Sequence, residues 1–207
     1  MVRTKSFDYE PPADLSTRKL PILEFHGEML RIFRQKFLES RRQSGILHFG
    51  RTMTERFDDP QGKFGVCYLG ADDYACFIET FGKARRKEID RVLLSERGIA
   101  VVSTSSILKL VDITGKGLAH VGAAGEVSAG DHVLSQNWSR AFYDHPQEPD
   151  GIYYCARHDL SKWCIALFSR AKGKVRVASY MNLLDTRYQA RLGQILNHYQ
   201  FALLPDV

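Results

Sequence analysis

The sequence predicts a single α+β domain built on a mostly antiparallel sheet, and three observations carry that expectation. Short apolar runs of strand length cluster without the regular strand–helix alternation that makes a doubly wound parallel sheet. Neither a G-x-G-x-x-G turn nor a P-loop follows any of them. At 207 residues, 44% hydrophobic and 26% charged, the chain can bury one sizeable core and has the polar balance of a globular protein.

The elements follow in order. Residues 1–20 are polar, with Pro11 and Pro12 adjacent, and read as an N-terminal arm ahead of a domain over 21–207. The segment MLRIFR, 29–34, reads as a strand with Arg31 and Phe33 on one face and Leu30 and Ile32 on the other. A second strand, Val66–Leu69, comes after Gly62 and Gly65. Beyond Gly70, residues Tyr74, Phe77, Ile78 and Phe81 recur at helical spacing, with Asp72 placed to cap the start and Gly82 to stop the end. Glu88–Glu96 reads as a further helix, and Ile99–Val102 and Ile107–Val111 as strands. Asp131–Phe142 is helical, with Leu134, Trp138, Ala141 and Phe142 on its apolar face. Strands are expected at Ile152–Cys155, Cys164–Phe168 and Val175–Ala178, then a last helix from about Thr186 that buries Leu192, Ile195, Leu196 and Tyr199.

Composition excludes several function classes. No run approaches the roughly 18 apolar residues of a membrane span, and the N-terminus lacks an apolar signal region, so a cytoplasmic protein is expected. The four cysteines form no C-x-x-C pair and read as free buried thiols. Cys155 and His158 have ligand-like spacing, but a structural zinc site needs four ligands, so no metal is expected. The net charge of +5 and a pI near 9.0 favour an anionic partner. The densest basic cluster, Lys83, Arg85, Arg86 and Lys87, runs directly into Glu88 and Asp90, and aromatic residues are not interleaved with it. It therefore reads as a solvated surface, and direct nucleic-acid binding is not expected.

Several residues invite a chemical reading beside a structural one. Glu79, the only acidic residue between Asp73 and Glu88, lies beside the apolar stripe of its helix, where it either faces solvent or flanks a cleft. An arginine within an apolar strand, Arg31, needs an anionic partner, which could equally be a structural carboxylate; Arg34 competes for the role. Arg56 and Arg51 are either loop charges or anion ligands. Tyr68 reads as a core ring or a stacking surface, Tyr153 and Tyr154 as core, and Ser135 and Ser139 share one helix face a turn apart.

Three segments in one order, MLRIFR (29–34), ERFDDPQGKFGVCYLGADDYACFIET (55–80) and DGIYYCARHD (150–159), resemble the RES domain family over most of residues 27–170. The middle segment is the specific part, joining Arg-Phe, Pro-x-Gly, Tyr-Leu-Gly and a Glu eleven residues after the Tyr. The resemblance implies an ADP-ribosyltransferase-like split sheet. It implies a toxin that cleaves the nicotinamide–ribose bond of NAD by hydrolysis or phosphorolysis and is silenced by an Xre-like antitoxin. NAD is then the substrate, phosphate an alternative to water as acceptor, and no cofactor is required. By the same resemblance Glu79, Arg31 and Ser135 form the catalytic set, and Arg31, Arg56, Tyr68 and Ser139 bind the dinucleotide. Ser135 is preferred to Ser139 because it precedes Gln136. One departure stands out: Ala156 replaces a family serine and has no hydroxyl to donate. Rival readings are a protein ADP-ribosyltransferase with the same site, a basic nucleic-acid-binding module and an inactive partner-binding domain.

Overall fold

The computed structural model describes residues 9–36, 45–84 and 86–204. Its first half runs β1 (Ile22–Phe25), β2 (Glu28–Arg34), β3 (Val66–Gly70), α1 (Asp73–Phe81), β4 (Glu88–Asp90), α2 (Arg91–Ser95) and β5 (Arg97–Thr104). Then come β6 (Leu108–Asp112), α3 (Gly115–Val121), α4 (Glu126–Ala129), α5 (His132–Tyr143), β7 (Gly151–Ala156), β8 (Asp159–Phe168), β9 (Val175–Asn182), α6 (Gln189–His198) and β10 (Ala202–Leu204). Eight strands make one sheet in the order β1-β6-β7-β8-β3-β2-β5-β9, antiparallel except where β6 meets β7. β4 and β10 pair in parallel as a small second sheet. The expected α+β class with a mostly antiparallel sheet is the class found.

The central strands are continuous apolar runs because both of their faces are buried. In β3, Val66 and Tyr68 join a core beneath α5 that contains Phe57, Phe64, Trp138 and Phe142, while Cys67 and Leu69 join a second core on the opposite face. β8 alternates in the same way, Cys164, Ala166 and Phe168 against Ile165 and Leu167. A third cluster binds α1, β4 and α6 through Phe77, Phe81, Ile89, Leu192 and Leu196.

The sheet is split at its middle. β2 pairs with β5 along all seven of its residues but meets β3 only at Leu30 opposite Gly70. Past that pair the strands part, and the backbone of Gly50 takes part of the freed edge of β3 by exchanging two hydrogen bonds with Val66. Gly65 permits this approach, since a Cβ there would stand 2.5 Å from the Phe49 carbonyl oxygen.

Two sequence expectations change. Glu88–Glu96 is a three-residue strand followed by a short helix, because Glu88–Asp90 pairs with Ala202–Leu204 and the Asp90 side chain then caps the Leu93 N–H. Residues 9–20 are docked on the domain and do not form a free arm. Leu15 and Leu20 are buried in the core, the Trp138 indole N–H donates to the Tyr9 carbonyl, and Leu20 N–H donates to Gln147. Residues 1–8 of the expected arm, and Arg85 of the basic cluster, lie outside the described residues. No helix among the described residues is long and apolar enough to cross a membrane.

Candidate functional site

A cleft of about 290 Å³ opens at the split. Its walls come from β2, the 48–58 loop, β3, α1 and the hairpin between β7 and β8, and among the lining residues are Arg31, Arg56, Tyr68 and Glu79. Four residues spread over 48 positions of sequence, from Arg31 to Glu79, thus share one concave surface.

Glu79 is carried by α1, whose start is fixed by Asp72, the side chain of which accepts from Ala75 N–H. A Cβ at Gly70 would meet the sulfur and amide nitrogen of Cys76 within 3 Å, so glycine is what lets β3 turn this tightly into the helix. One Glu79 oxygen, Oε1, accepts the Arg157 backbone N–H at 2.7 Å from the β7–β8 turn. Burial pushes the Glu79 carboxyl above its ordinary value; the Arg157 N–H and the positive charges of Arg56, Lys83 and Arg157 pull it partly back.

Arg31 stands where β2 and β3 part. Its Nη1 donates to the Tyr68 carbonyl at 2.8 Å, an edge acceptor that β2 would otherwise have satisfied, and to Cys67 Sγ at 3.2 Å. Its Nε is buried with no hydrogen-bond partner. Arg56 is 8% exposed, and its Nη1 donates to the Gly130 carbonyl and to Ser135 Oγ, while its Nη2 is buried without a partner. No carboxylate neutralises either guanidinium by direct contact among the described residues. Two fork-shaped cations lining one cleft suit an anion with several oxygens.

The Tyr68 ring is locked by its hydroxyl, which accepts from Phe57 N–H at 2.9 Å and donates to Asp58 at 3.1 Å. Asp58, itself buried, also accepts from the Thr52 hydroxyl and Glu55 N–H and so ties the loop to the ring. Burial, then Asp58, holds the Tyr68 hydroxyl well above its ordinary range, so it stays protonated.

The two serines sit elsewhere. Ser135 and Ser139 are both 0% exposed and neither lines the cleft. α5 presents a polar face to the back of the 53–59 loop: Ser135 Oγ accepts from Arg56, Gln136 donates to the carbonyls of Met53 and Glu55, Ser139 Oγ donates to the Phe57 carbonyl, and Arg140 donates to Asp59. The serines anchor the loop that carries Arg56. Ala156 is fully buried and does not line the cleft, so the methyl group there leaves the cleft wall unchanged.

Sequence reasoning missed several wall residues. Tyr154, read as core, is buried and also lines the cleft, as do His48, Asp58, Lys83, His132 and His158. His158 lies over the end of α1, where Gly82 leaves room for its ring. Burial, then the charges of Arg157, Lys87 and Lys83, hold its pKa below the ordinary histidine value. No group of three or more candidate metal ligands occurs among the described residues.

A chain of the M. tuberculosis MbcT–MbcA toxin–antitoxin complex aligns over 83% of this chain and 92% of its own length, with a TM-score of 0.63 and 16% identity, a likeness of fold. That likeness fits the ADP-ribosyltransferase-like split sheet. A probable toxin, y4kH, of Sinorhizobium fredii (strain NBRC 101917 / NGR234) is 33% identical over 112 residues, 54% of this chain and 86% of that protein. The family model of the RES domain matches residues 29–188, which contain the whole cleft wall. By that match, which spans well over half its length, the chain belongs to the RES domain family.

Proposed function

We propose that this protein is a toxin that cleaves the nicotinamide–ribose bond of NAD and is held inactive by an Xre-like antitoxin. The observation that carries the chemistry is the pairing, in one cleft, of a fixed carboxylate on Glu79 with two arginines, Arg56 buried and Arg31 partly buried, that no carboxylate among the described residues contacts directly. The pyrophosphate of NAD supplies oxygens for the guanidinium groups of Arg31 and Arg56. Nicotinamide leaves as a neutral molecule, so departure needs no general acid. Positive charge then develops on the ribose carbon, and Glu79, partly buried and oriented by the Arg157 N–H, stabilises it. The ring of Tyr68, unable to turn because its hydroxyl is held at both sides, offers a rigid surface for the nicotinamide or ribose. Water or phosphate completes the reaction at the ribose carbon. The toxin role draws support from the probable toxin y4kH and from the fold shared with a chain of the MbcT–MbcA complex, and the antitoxin role from the complex in that second name.

The test is NAD consumption by purified protein with and without phosphate, with products identified by mass spectrometry. Free nicotinamide with ADP-ribose or its 1″-phosphate is expected. Intact NAD would overturn the reading, and ADP-ribose attached to protein would replace it with a transferase.

A further inference from the structure

Glu79 is held in place by two elements, and a third element grips both of them. The first is α1; the second is the turn between β7 and β8, whose Arg157 N–H donates to Glu79 Oε1. The third is the C-terminal helix α6 with Tyr199 just after it, residues beyond the 29–188 span of the family match. Toward α1, Arg191 makes a two-pronged contact with Asp73, Nε to Oδ2 at 2.6 Å and Nη2 to Oδ1 at 2.8 Å. The Tyr199 ring lies parallel to Phe77 of α1, 3° between planes and 6.1 Å between centroids. Toward the turn, Tyr199 Oη donates to Asp159 Oδ2 at 2.8 Å. Asp159 is the first residue of β8 and pairs with Ala156 across the turn, at an irregularity in the β7–β8 register, so only Arg157 and His158 lie between them.

We propose that Tyr199 is a positioning residue for Glu79: through Asp159 it fixes the β7–β8 turn that aims the Arg157 N–H at the Glu79 carboxylate. The ring of Tyr199 sets the distance between helix and turn, and its hydroxyl sets the turn's rotation. Removing the hydroxyl alone frees the turn, and the Arg157 N–H no longer stays on Oε1. Glu79 then loses a donor that favours its charged form. The groups that act on Glu79 from the other packed elements, Arg56 of the loop and Lys83 after α1, are untouched by the change; the Arg157 side chain rides on the freed turn, and any retreat of its charge moves Glu79 in the same upward direction. Also untouched are Tyr154 of β7 and Cys164 of β8, whose own protons burial holds firmly and Glu79 holds further.

The inference rests on the reading of Glu79 as the catalytic carboxylate, and its test is separable from that reading. Carbon-13 labelled glutamate allows the Glu79 side chain to be titrated by NMR, its signal assigned by absence in Glu79→Gln. In Tyr199→Phe, which keeps the stacked ring, the Glu79 midpoint is expected to move up, and likewise in Asp159→Ala. Tyr188→Phe removes a hydroxyl bonded to Asp73 in the same interface without touching the turn, and is expected to leave the midpoint where it was. Alongside, kcat for NAD loss at pH 7 should fall about two- to tenfold in Tyr199→Phe, the size of one ordinary hydrogen bond, with KM unchanged. A folded Tyr199→Phe or Asp159→Ala with the wild-type Glu79 midpoint overturns the proposal, as does an equal shift in Tyr188→Phe. Absence of NAD turnover in the wild type would overturn the activity reading instead, with the titration still deciding whether Tyr199 sets Glu79.

Discussion

At the scale of single residues, Glu79 joins two demands that pull against each other. The proposed reaction needs its carboxylate charged, yet burial raises its pKa. Glu79→Gln keeps the shape and an acceptor for Arg157 N–H, so NAD turnover is expected to fall about 10²–10³-fold, or below detection. The same substitution should raise thermal stability at neutral pH. The folded wild type binds the Glu79 proton more tightly than the unfolded chain does. Its stability is therefore favoured below the ordinary carboxylate value and declines as pH rises through the raised one. A melting series should show the Gln variant gaining on the wild type as pH increases, the two converging in acid, while wild-type activity rises over the same window. Arg31→Ala and Arg56→Ala should weaken NAD binding by about 10- to 100-fold in calorimetry, the range of a charged hydrogen bond. Lysine at either position should restore little of it, lacking the second prong. Arg31→Ala should also cost about 1–3 kcal/mol of stability, because the Tyr68 carbonyl loses its donor inside the split. Glu79 and Arg31 were legible as candidates because each breaks a local pattern, a lone acid beside a stripe and a cation in an apolar strand; Arg56 and Tyr68 break none and stood out only through the family resemblance. Tyr154 and Asp58 were not legible, since an aromatic in a strand and an acid in a loop break no pattern.

At the scale of elements, α1 was legible almost to the residue, from an Asp72 cap through a four-residue stripe to Gly82. β4 was not, because a three-residue strand exists only through its partner at 202–204, far along the chain. Helix α5 was legible for its apolar face and opaque for its polar one. Periodicity finds the residues that meet the core, and Ser135, Gln136, Ser139 and Arg140 instead meet the carbonyls and side chains of a loop with no period of its own. That arrangement separates anchoring from chemistry in the two serines. Ser135→Ala removes a donor to the Val127 carbonyl and an acceptor for Arg56, and Ser139→Ala strips the Phe57 carbonyl of its donor. Each should cost about 1–3 kcal/mol in urea denaturation. Turnover should fall by less than about tenfold, far short of the 10²–10³ expected when a group that stabilises the transition state is lost.

At the scale of the whole molecule, expression in a bacterial host without the antitoxin should arrest growth as NAD falls, and Glu79→Gln should abolish both effects at equal protein level. The split between β2 and β3 adds a consequence for how long such a protein lasts in the cell. The two halves of the sheet share a single register pair at this seam, and Arg31 with its neighbours supplies much of what crosses it. A dinucleotide bound to Arg31 on one side and to Arg56 and Glu79 on the other acts as a staple that the unfolded chain cannot use. At a concentration 100 times its Kd it adds about 2.7 kcal/mol to folding stability. Protection of backbone amides from exchange should rise most at residues 31–34 and 66–69 when a non-cleavable NAD analogue is added. Under the proposed function the substrate is then also the protein's preservative: as the pool drains, the staple would go with it, proteases would find the seam open more often, and the enzyme's lifetime would shorten as its work is finished.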